Sequence, residues 1–235
     1  MSLQKNPRHR RPDFTHESFY WRKGYRLVVG VDEVGRGSIA GPVVAATTVW
    51  PAQIAKDRLL KRNILDLGID DSKRLTAKKR EKLTKIIKKL TPGWGIGKGS
   101  VREIDSYGIV KATEKAMRRA IRKTLEIGNW KLEIPKRTMF VLVDGFHVKY
   151  IPAVGLKNQK GIPHGDQKSL GIAAASILAK DYRDGLMRKL SLRYPQYGWD
   201  QNKGYGTKRH RLAISRYGRT PLHRKKFVET FLKES

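Results

Sequence analysis

The sequence predicts a mixed α/β domain followed by a small helical appendage, on three observations. Runs of β-branched residues ending in Gly- or Asp-containing turns alternate with stretches whose apolar residues recur at helical spacing. Beyond Tyr197 those runs cease and the chain turns basic and aromatic, with 10 Lys or Arg against 2 Glu from residue 203 to 235. Its 235 residues suffice for one large or two small domains, and no linker is long enough to separate two.

Residues 1–24 read as a basic, mobile tail carrying Lys5, Arg8, Arg10, Arg11, Arg22 and Lys23, without the apolar centre of a secretion signal. Residues 25–196 read as the main domain and 197–235 as the helical, substrate-binding extension. Within the main domain, residues 25–32 form a buried strand rich in β-branched side chains. It ends in the glycine-spaced turn Glu33-Val34-Gly35-Arg36-Gly37. A second β run over residues 43–50 stops at Pro51, close enough to pair antiparallel with the first. Residues 52–69 read as irregular. Thr76 then caps a helix whose Leu83, Ile86, Ile87 and Leu90 share one face. Lys78, Lys79, Arg80, Lys82, Lys85, Lys88 and Lys89 make the other face, which either is simply solvated or contacts phosphates.

Residues 94–97 alternate like a short strand, and Ser100 with Glu103 has capping-box spacing. The helix that follows carries Ala112, Ala116, Ala120 and Ile121, small enough to lie close to a sheet. Residues 138–143 are the next strand, ended by Asp144-Gly145. A long helix over residues 169–194 buries Ile172, Ala173, Ser176, Ile177 and Ala179, and shorter helices are expected at 208–217 and 222–233. No internal repeat or low-complexity block interrupts the pattern.

The formal charge is +30, from 51 Lys and Arg against 21 Asp and Glu. Such a chain is either held close to a polyanion, nucleic acid or an anionic membrane surface, or tolerates its self-repulsion. The membrane is disfavoured: the apolar stretches 41–50 and 172–179 are about half of the roughly 20 residues a spanning helix needs. No amphipathic helix carries large apolar anchors either. Cysteine is absent, which excludes disulfides, thiolate zinc sites and a cysteine nucleophile, and fits a cytoplasmic protein. The chain has no Gly-Lys-Ser/Thr phosphate loop and no full dinucleotide fingerprint, so it is not nucleotide-fuelled. Without a dimer seam, a monomer is expected.

In so basic a chain the placement of acids is informative. Asp32 and Glu33 end one strand, Asp144 ends another, and Asp166 precedes the long helix. Ligands of open α/β sheets gather at strand ends, where these acids can converge. Carboxylates brought together repel and raise one another's pKa, a conflict that a divalent cation removes. All-oxygen ligation favours Mg²⁺ or Mn²⁺, and two such ions about 3.5–4 Å apart support phosphodiester cleavage. Adjacent strand residues point to opposite faces, so Asp32 and Glu33 can share a metal only if the chain turns at Glu33. Strand-end aspartates are also common as caps and turn residues. Gly35-Arg36-Gly37 reads as a sugar-phosphate contact or as a plain turn.

Residues 31–37, Val-Asp-Glu-Val-Gly-Arg-Gly, followed by Ala40-Gly41-Pro42-Val43-Val44-Ala45-Ala46, resemble the signature of the ribonuclease HII family, the type 2 ribonucleases H. Asp71-Ser72-Lys73, Val143-Asp144-Gly145, Gly165-Asp166, the run from Ala173 to Lys180, Arg183-Asp184, Tyr194 to Gly198, Lys203-Gly204-Tyr205 and His210 continue the resemblance in order. It implies an RNase H-like fold, a mixed five-stranded sheet flanked by helices, with a C-terminal helical extension. It also implies metal-dependent cleavage of RNA in RNA–DNA hybrids and at single ribonucleotides in duplex DNA, 5′ to the ribonucleotide, leaving 5′-phosphate and 3′-hydroxyl ends.

Carried over by position, Asp32, Glu33, Asp144 and Asp166 match the family's metal-binding catalytic acids, with Asp184 a less favoured competitor for the fourth. Gly35, Arg36 and Gly37 match its 2′-hydroxyl-sensing loop and Tyr205 the tyrosine beside the scissile sugar. Ser72, Lys73, Lys168, Ser176 and Lys203 complete the substrate-binding set. Three departures stand out: Ser38 where proline is usual, His164 where lysine commonly precedes Gly165-Asp166, and a lengthened approach over residues 158–163. A non-catalytic nucleic-acid binder accounts equally well for the charge, but gains nothing from four carboxylates facing a phosphate.

Overall fold

A computed structural model describes residues 11–127, 139–149, 151 and 154–233. Helix α1 (Thr15–Arg22) leads into β1 (Leu27–Val34), which pairs antiparallel with β2 (Val43–Pro51). Helices α2 (Gln53–Lys56), α3 (Arg58–Asp66) and α4 (Ala77–Leu90) then lead to β3 (Trp94–Gly99). Helix α5 (Val101–Ile127), broken at Gly108, precedes β4 (Met139–Asp144) and β5 (Gln159–Ile162). The chain closes with α6 (Leu170–Arg193), α7 (Trp199–Asn202), α8 (Lys208–Tyr217) and α9 (Lys225–Lys233). The strands lie in the order β3-β2-β1-β4-β5, with β1, β4 and β5 mutually parallel.

Burial on both faces explains the unbroken apolar runs of the central strands. Val29, Val31, Val43, Ala45 and Val141 pack on Ala112, Ala116, Ala120 and Ile121 of α5. Val28, Val44, Ala46 and Leu142 pack on Ile172, Ala173 and Ile177 of α6, with α1 and α4 alongside. Close approach is built in: a Cβ on Gly97 would come 2.0 Å from the Ala116 carbonyl, and one on Gly30 2.1 Å from the backbone of Gly171. The start of α6 therefore rests directly on β1, two residues before Asp32. A third apolar cluster joins Tyr197, Trp199, Ala213, Ile214 and Val228 to Ile39, Ala40 and Met187. Thus the helices after residue 197 share a core with the loop after β1 and with α6.

The structure departs from the sequence reading in four places. Residues 13–24 are not a tail: Phe14, Glu17, Tyr20 and Trp21 are buried, and Phe14 packs edge-on against Trp50. Lys5, Arg8 and Arg10 lie outside the described residues. Residues 52–69 hold α2 and α3, the latter capped by Asp57, whose Oδ1 accepts from the Leu60 amide at 2.8 Å. Residues 159–162 form the edge strand β5, and the last helix starts at Lys225 rather than at 222. Thr138, the expected first residue of its strand, lies outside the described residues. No described helix is long and apolar enough to cross a membrane.

Glu17 is the fully buried acid of α1. Its Oε1 accepts from the Ser169 hydroxyl at 2.5 Å and from the Gly171 amide at 2.8 Å, while Oε2 has no partner among the described residues. Burial pushes its pKa up to about 7 against the pull of those hydrogen bonds. In the unfolded chain a glutamate titrates near 4.3. A folded-state pKa raised in this way contributes stability that is complete below about 4.3. That contribution is lost as pH rises through about 7. Glu17→Gln should flatten this decline, as measured by urea midpoints of wild type and variant between pH 4 and 8.

Candidate active site

Because β1 and β4 are parallel, their C-terminal ends open on the same edge of the sheet. The ladder between them closes with Val31 opposite Val143, so Asp32 and Asp144 follow immediately, where the pairing stops. By strand alternation both carboxylates leave the face that packs on α6. Asp166 sits in a 3-10 turn over Gly165–Gln167 just before α6. That turn is tied to β4, since the Gly165 amide donates to Asp144 Oδ1 at 2.7 Å. His164, ahead of it, has φ 54°, the left-handed conformation that side chains seldom adopt.

Glu33 behaves differently from expectation. The chain does not turn there: β1 stays paired to Val34 opposite Val44, so Glu33 leaves the face opposite Asp32. The turn comes at Gly35, with φ 89°. The Glu33 amide donates to Asp32 Oδ1 at 2.7 Å, and its carboxylate pairs with Arg36 at 3.4 Å. Glu33 Oε2 is buried without a partner among the described residues.

The acids perturb one another. Burial, then Glu33 and Asp144, raise the pKa of Asp32 well above its ordinary value. Glu33 is raised by burial and by Asp144, with Arg36 opposing. Asp166 is raised by burial, by Asp71 and by Asp144, with Lys73 and His164 opposing. Asp71, buried and accepting from the Gln167 amide group at 3.4 Å, is a further acid beside these, to which the sequence assigns no role beyond its place in Asp71-Ser72-Lys73. Lys73 Nζ stands 3.8 Å from Asp166 Oδ2; burial lowers its pKa, but the surrounding acids prevail and hold it up.

No group of three or more acids or histidines is preassembled around one point among the described residues. The reason lies in the partners above: each carboxylate turns to its own local donor, and Glu33 starts from the other face. The donor set nevertheless fits hard divalent cations. It is all oxygen, it includes a buried orphan in Glu33 Oε2, and its raised pKa values are the repulsion that a cation offsets.

The substrate-binding candidates surround this edge. Ser176 on α6 donates its hydroxyl to Ser72 Oγ at 3.0 Å and lies close enough to Asp32 to oppose the rise in that carboxyl's pKa. Lys168 is exposed and turns away from the acids, its ammonium donating to the Pro163 carbonyl at 2.6 Å. Asp184 is committed elsewhere, to Arg80 at 3.3 Å and Lys180 at 2.9 Å.

Two buried guanidinium groups hold the glycine loop. Arg224 donates to the carbonyls of Gly35 and Arg36, each at 2.7 Å, and of Gly41 at 3.0 Å. Arg183 donates to those of Pro42 at 3.0 Å, Ala40 at 3.1 Å and Lys203 at 2.8 Å. The Gly204 carbonyl accepts from Ile39 at 2.9 Å and Ala40 at 3.1 Å, stitching residues 35–42 to the loop of Lys203 and Tyr205. Arg183 and Lys180 stand 5.6 and 5.7 Å from the Tyr205 ring. Lys203 turns its ammonium onto the Asp200 carbonyl. The amides of Arg36 and Gly37 bond to no partner among the described residues.

The hydrogen bonds beneath Tyr205 assign the tautomers of two buried histidines. His223 Nδ1 accepts from the Thr220 amide at 2.9 Å, so its Nε2–H donates to His210 Nε2 at 3.1 Å. Trp199 donates to the same nitrogen at 3.0 Å, leaving His210 Nδ1–H to donate to the Tyr205 carbonyl at 2.9 Å. Burial holds both imidazoles neutral, His223 down to about 4.

Arg224 and Arg183 were given no role from sequence. For Arg183 a signal exists, since it continues the helix face of Ser176 and Lys180 toward Met187; Arg224 offers none.

A family model described as Ribonuclease HII matches residues 29–230. The chain is 42% identical over 218 residues to a ribonuclease HII of Caldanaerobacter subterraneus, covering 93% of this chain and 80% of that one. Among solved structures it is similar to the ribonuclease H2 of Pyrococcus horikoshii, with TM-score 0.64 and 26% identity over 88% of this chain and 99% of that one. A Bst-RNase HIII in complex with Mn²⁺ shares the fold, with TM-score 0.65 and 20% identity over 92% of this chain and 73% of that one.

Burial, then Arg183 beside it, lowers Arg224 to about 9, so it stays charged at neutral pH. Arg224→Lys keeps a charge but not the fork, leaving at least one loop carbonyl unpaired. A loss of about 1–3 kcal/mol is expected in urea denaturation.

Proposed function

The chain belongs to the ribonuclease HII family, and from that premise we propose that this ribonuclease H endonuclease cuts, with Mg²⁺ or Mn²⁺, RNA in RNA–DNA hybrids and single ribonucleotides within duplex DNA. The cut falls 5′ to the ribonucleotide and leaves 5′-phosphate and 3′-hydroxyl ends. The observation that carries this reading is the edge where Asp32, Glu33, Asp144 and Asp166 raise or oppose one another's charge beside a loop with free amides.

Asp32, Asp144 and Asp166, on the α6 side, and Glu33, from the other face, would hold the ions. When bound, such ions supply a hydroxide nucleophile at neutral pH and stabilise charge on the leaving oxygen. The protein's own residues orient the substrate. With its carbonyls taken by Arg224, the glycine loop turns the amides of Arg36 and Gly37 outward, where a ribose 2′-hydroxyl can accept from them. The Tyr205 ring packs against the neighbouring sugar, its backbone fixed by His210. Ser72 and Ser176 orient Asp32, and Lys73 balances Asp166 until a cation replaces it. Lys168, Lys203 and the basic face of α4 contact phosphates and set a steep salt dependence.

The test is a DNA duplex with one ribonucleotide, incubated with and without Mg²⁺ or Mn²⁺ and read on a denaturing gel. Wild type should cut only with metal and leave an all-DNA duplex intact; Asp32→Asn should lose the activity at least a hundredfold. Metal-dependent cutting by that variant at wild-type rate overturns the assignment. Tyr205→Ala should lower kcat more than it weakens duplex binding, and equal losses would remove the ring from the sugar.

A further inference from the structure

Resting on that reading of the substrate, we propose that Arg11, His16, Lys160 and Lys168 form a separate phosphate subsite that grips the nucleic-acid backbone away from the scissile bond. A recess of about 230 Å³ lies between the segment leading into α1 and the turn that carries Asp166. Arg11, Asp13, Thr15, His16, Gln167 and Lys168 line it.

The cations there are crowded beyond what the chain's overall charge requires. His16 is half-buried, and Lys160 and Lys168 both act with that burial to disfavour its protonation. The acid that counters them is Asp13, and its Oδ1 already accepts from the Thr15 amide at 2.8 Å. Bringing these groups together costs free energy until an anion sits between them. A phosphodiester fits: it carries one negative charge, and Arg11, the Lys168 ammonium, the His16 imidazole and the Thr15 hydroxyl offer donors of the kind it accepts. Lys168 spends one hydrogen on Pro163 and keeps two.

The recess is rigidly placed. The Leu170 amide donates to the Asp13 carbonyl at 3.0 Å, Phe14 is 1% exposed, and Glu17 is bonded to the start of α6. Position favours backbone phosphate over a free anion, since Gln167 and Lys168 directly follow Asp166 on the same turn and Gln167 also bonds Asp71. A duplex seated on the acids thus runs past the recess. Arg11 and His16 precede the stretch matched by the family model, whereas Lys160 and Lys168 lie within it.

The experiment compares wild type with Arg11→Ala/His16→Ala/Lys160→Ala and with a control of equal formal charge change, Arg122→Ala/Lys123→Ala on the far helix α5. Binding to a ribonucleotide-containing duplex is measured in EDTA over a range of salt, and cleavage is measured in parallel with Mg²⁺. Losing the phosphate held between these cations should make the slope of log K against log salt shallower by about 1 and weaken binding about tenfold at 0.1 M salt. The control should shift neither beyond twofold. A triple variant with the slope of wild type, or one matched by the control, overturns the subsite. Inorganic phosphate up to 50 mM should compete more weakly against the triple variant than against wild type; equal competition also counts against it. Because binding is read without cleavage, a wild type that binds but does not cut sinks the catalytic reading while the slopes still judge the subsite.

Discussion

The constraint behind the whole structure is the gathering of like charges in a poorly solvated place. Asp32, Glu33, Asp144 and Asp166 lie near one another where β1 and β4 stop pairing, without surrounding one point, and burial is the first cause of the raised pKa of Asp32, Glu33 and Asp166. Left to itself such an arrangement splays, and the splaying is visible in the private partners each carboxylate has taken. What holds their backbones in place is apolar and steric. Gly30 against Gly171 lets α6 lie on β1 closely enough that Ser176 reaches Asp32, and the Gly165 amide fastens the turn of Asp166 to Asp144. The stability of the surrounding packing opposes the repulsion at its edge.

The same logic, with opposite sign, governs the second half of the site. Arg183 and Arg224 are fully buried, and every hydrogen bond they make among the described residues goes to a backbone carbonyl. A buried cation without a carboxylate is costly unless its donors are all satisfied, and carbonyl dipoles supply that satisfaction without neutralising the charge. The carbonyls come from residues 35–42 and from Lys203, segments far apart in sequence. The guanidinium groups therefore act as cross-links between the glycine loop and the loop of Tyr205.

Much of this was legible in the residues because the strands and helices involved are strongly patterned. β1, β2 and β4 announce themselves by β-branched runs, α4 by Thr76 and its leucine spacing, and α5 by alanines opposite Gly95, Gly97 and Gly99. The failures have equally local causes. Helix α1 interleaves Glu17, Tyr20 and Trp21 with charged neighbours, so that its buried face looks like part of a basic tail. Asp57, between α2 and α3, breaks the period that would have revealed either helix. Strand β5 is four residues at a sheet edge, too short for alternation to register. In the site, the acids stand out because carboxylates are conspicuous in a chain of charge +30, whereas Arg224, one among 51 basic residues and outside any helical pattern with the site, gives no signal.

That a cation rather than an acid lies beneath the glycine loop has a chemical consequence. In an ordinary turn the first carbonyl accepts from the amide three residues on, while the two central carbonyls are left to solvent. Here the Gly35 carbonyl accepts from the Ser38 amide at 3.4 Å and also from the Arg224 fork, which takes the Arg36 carbonyl as well, so the amides of those two peptide units, Arg36 and Gly37, point the other way and bond to no partner among the described residues. The charge also sits behind those amides and aligns with their dipoles, strengthening their pull on an oxygen of a sugar or a phosphate. A carboxylate in the same position would have bonded the amides themselves and faced the substrate with carbonyl oxygens. Arginine at residue 224 thus holds the carbonyl side of these peptide bonds inward, and in this way a buried residue 189 positions from Gly35 in the sequence sets which polar groups the loop presents.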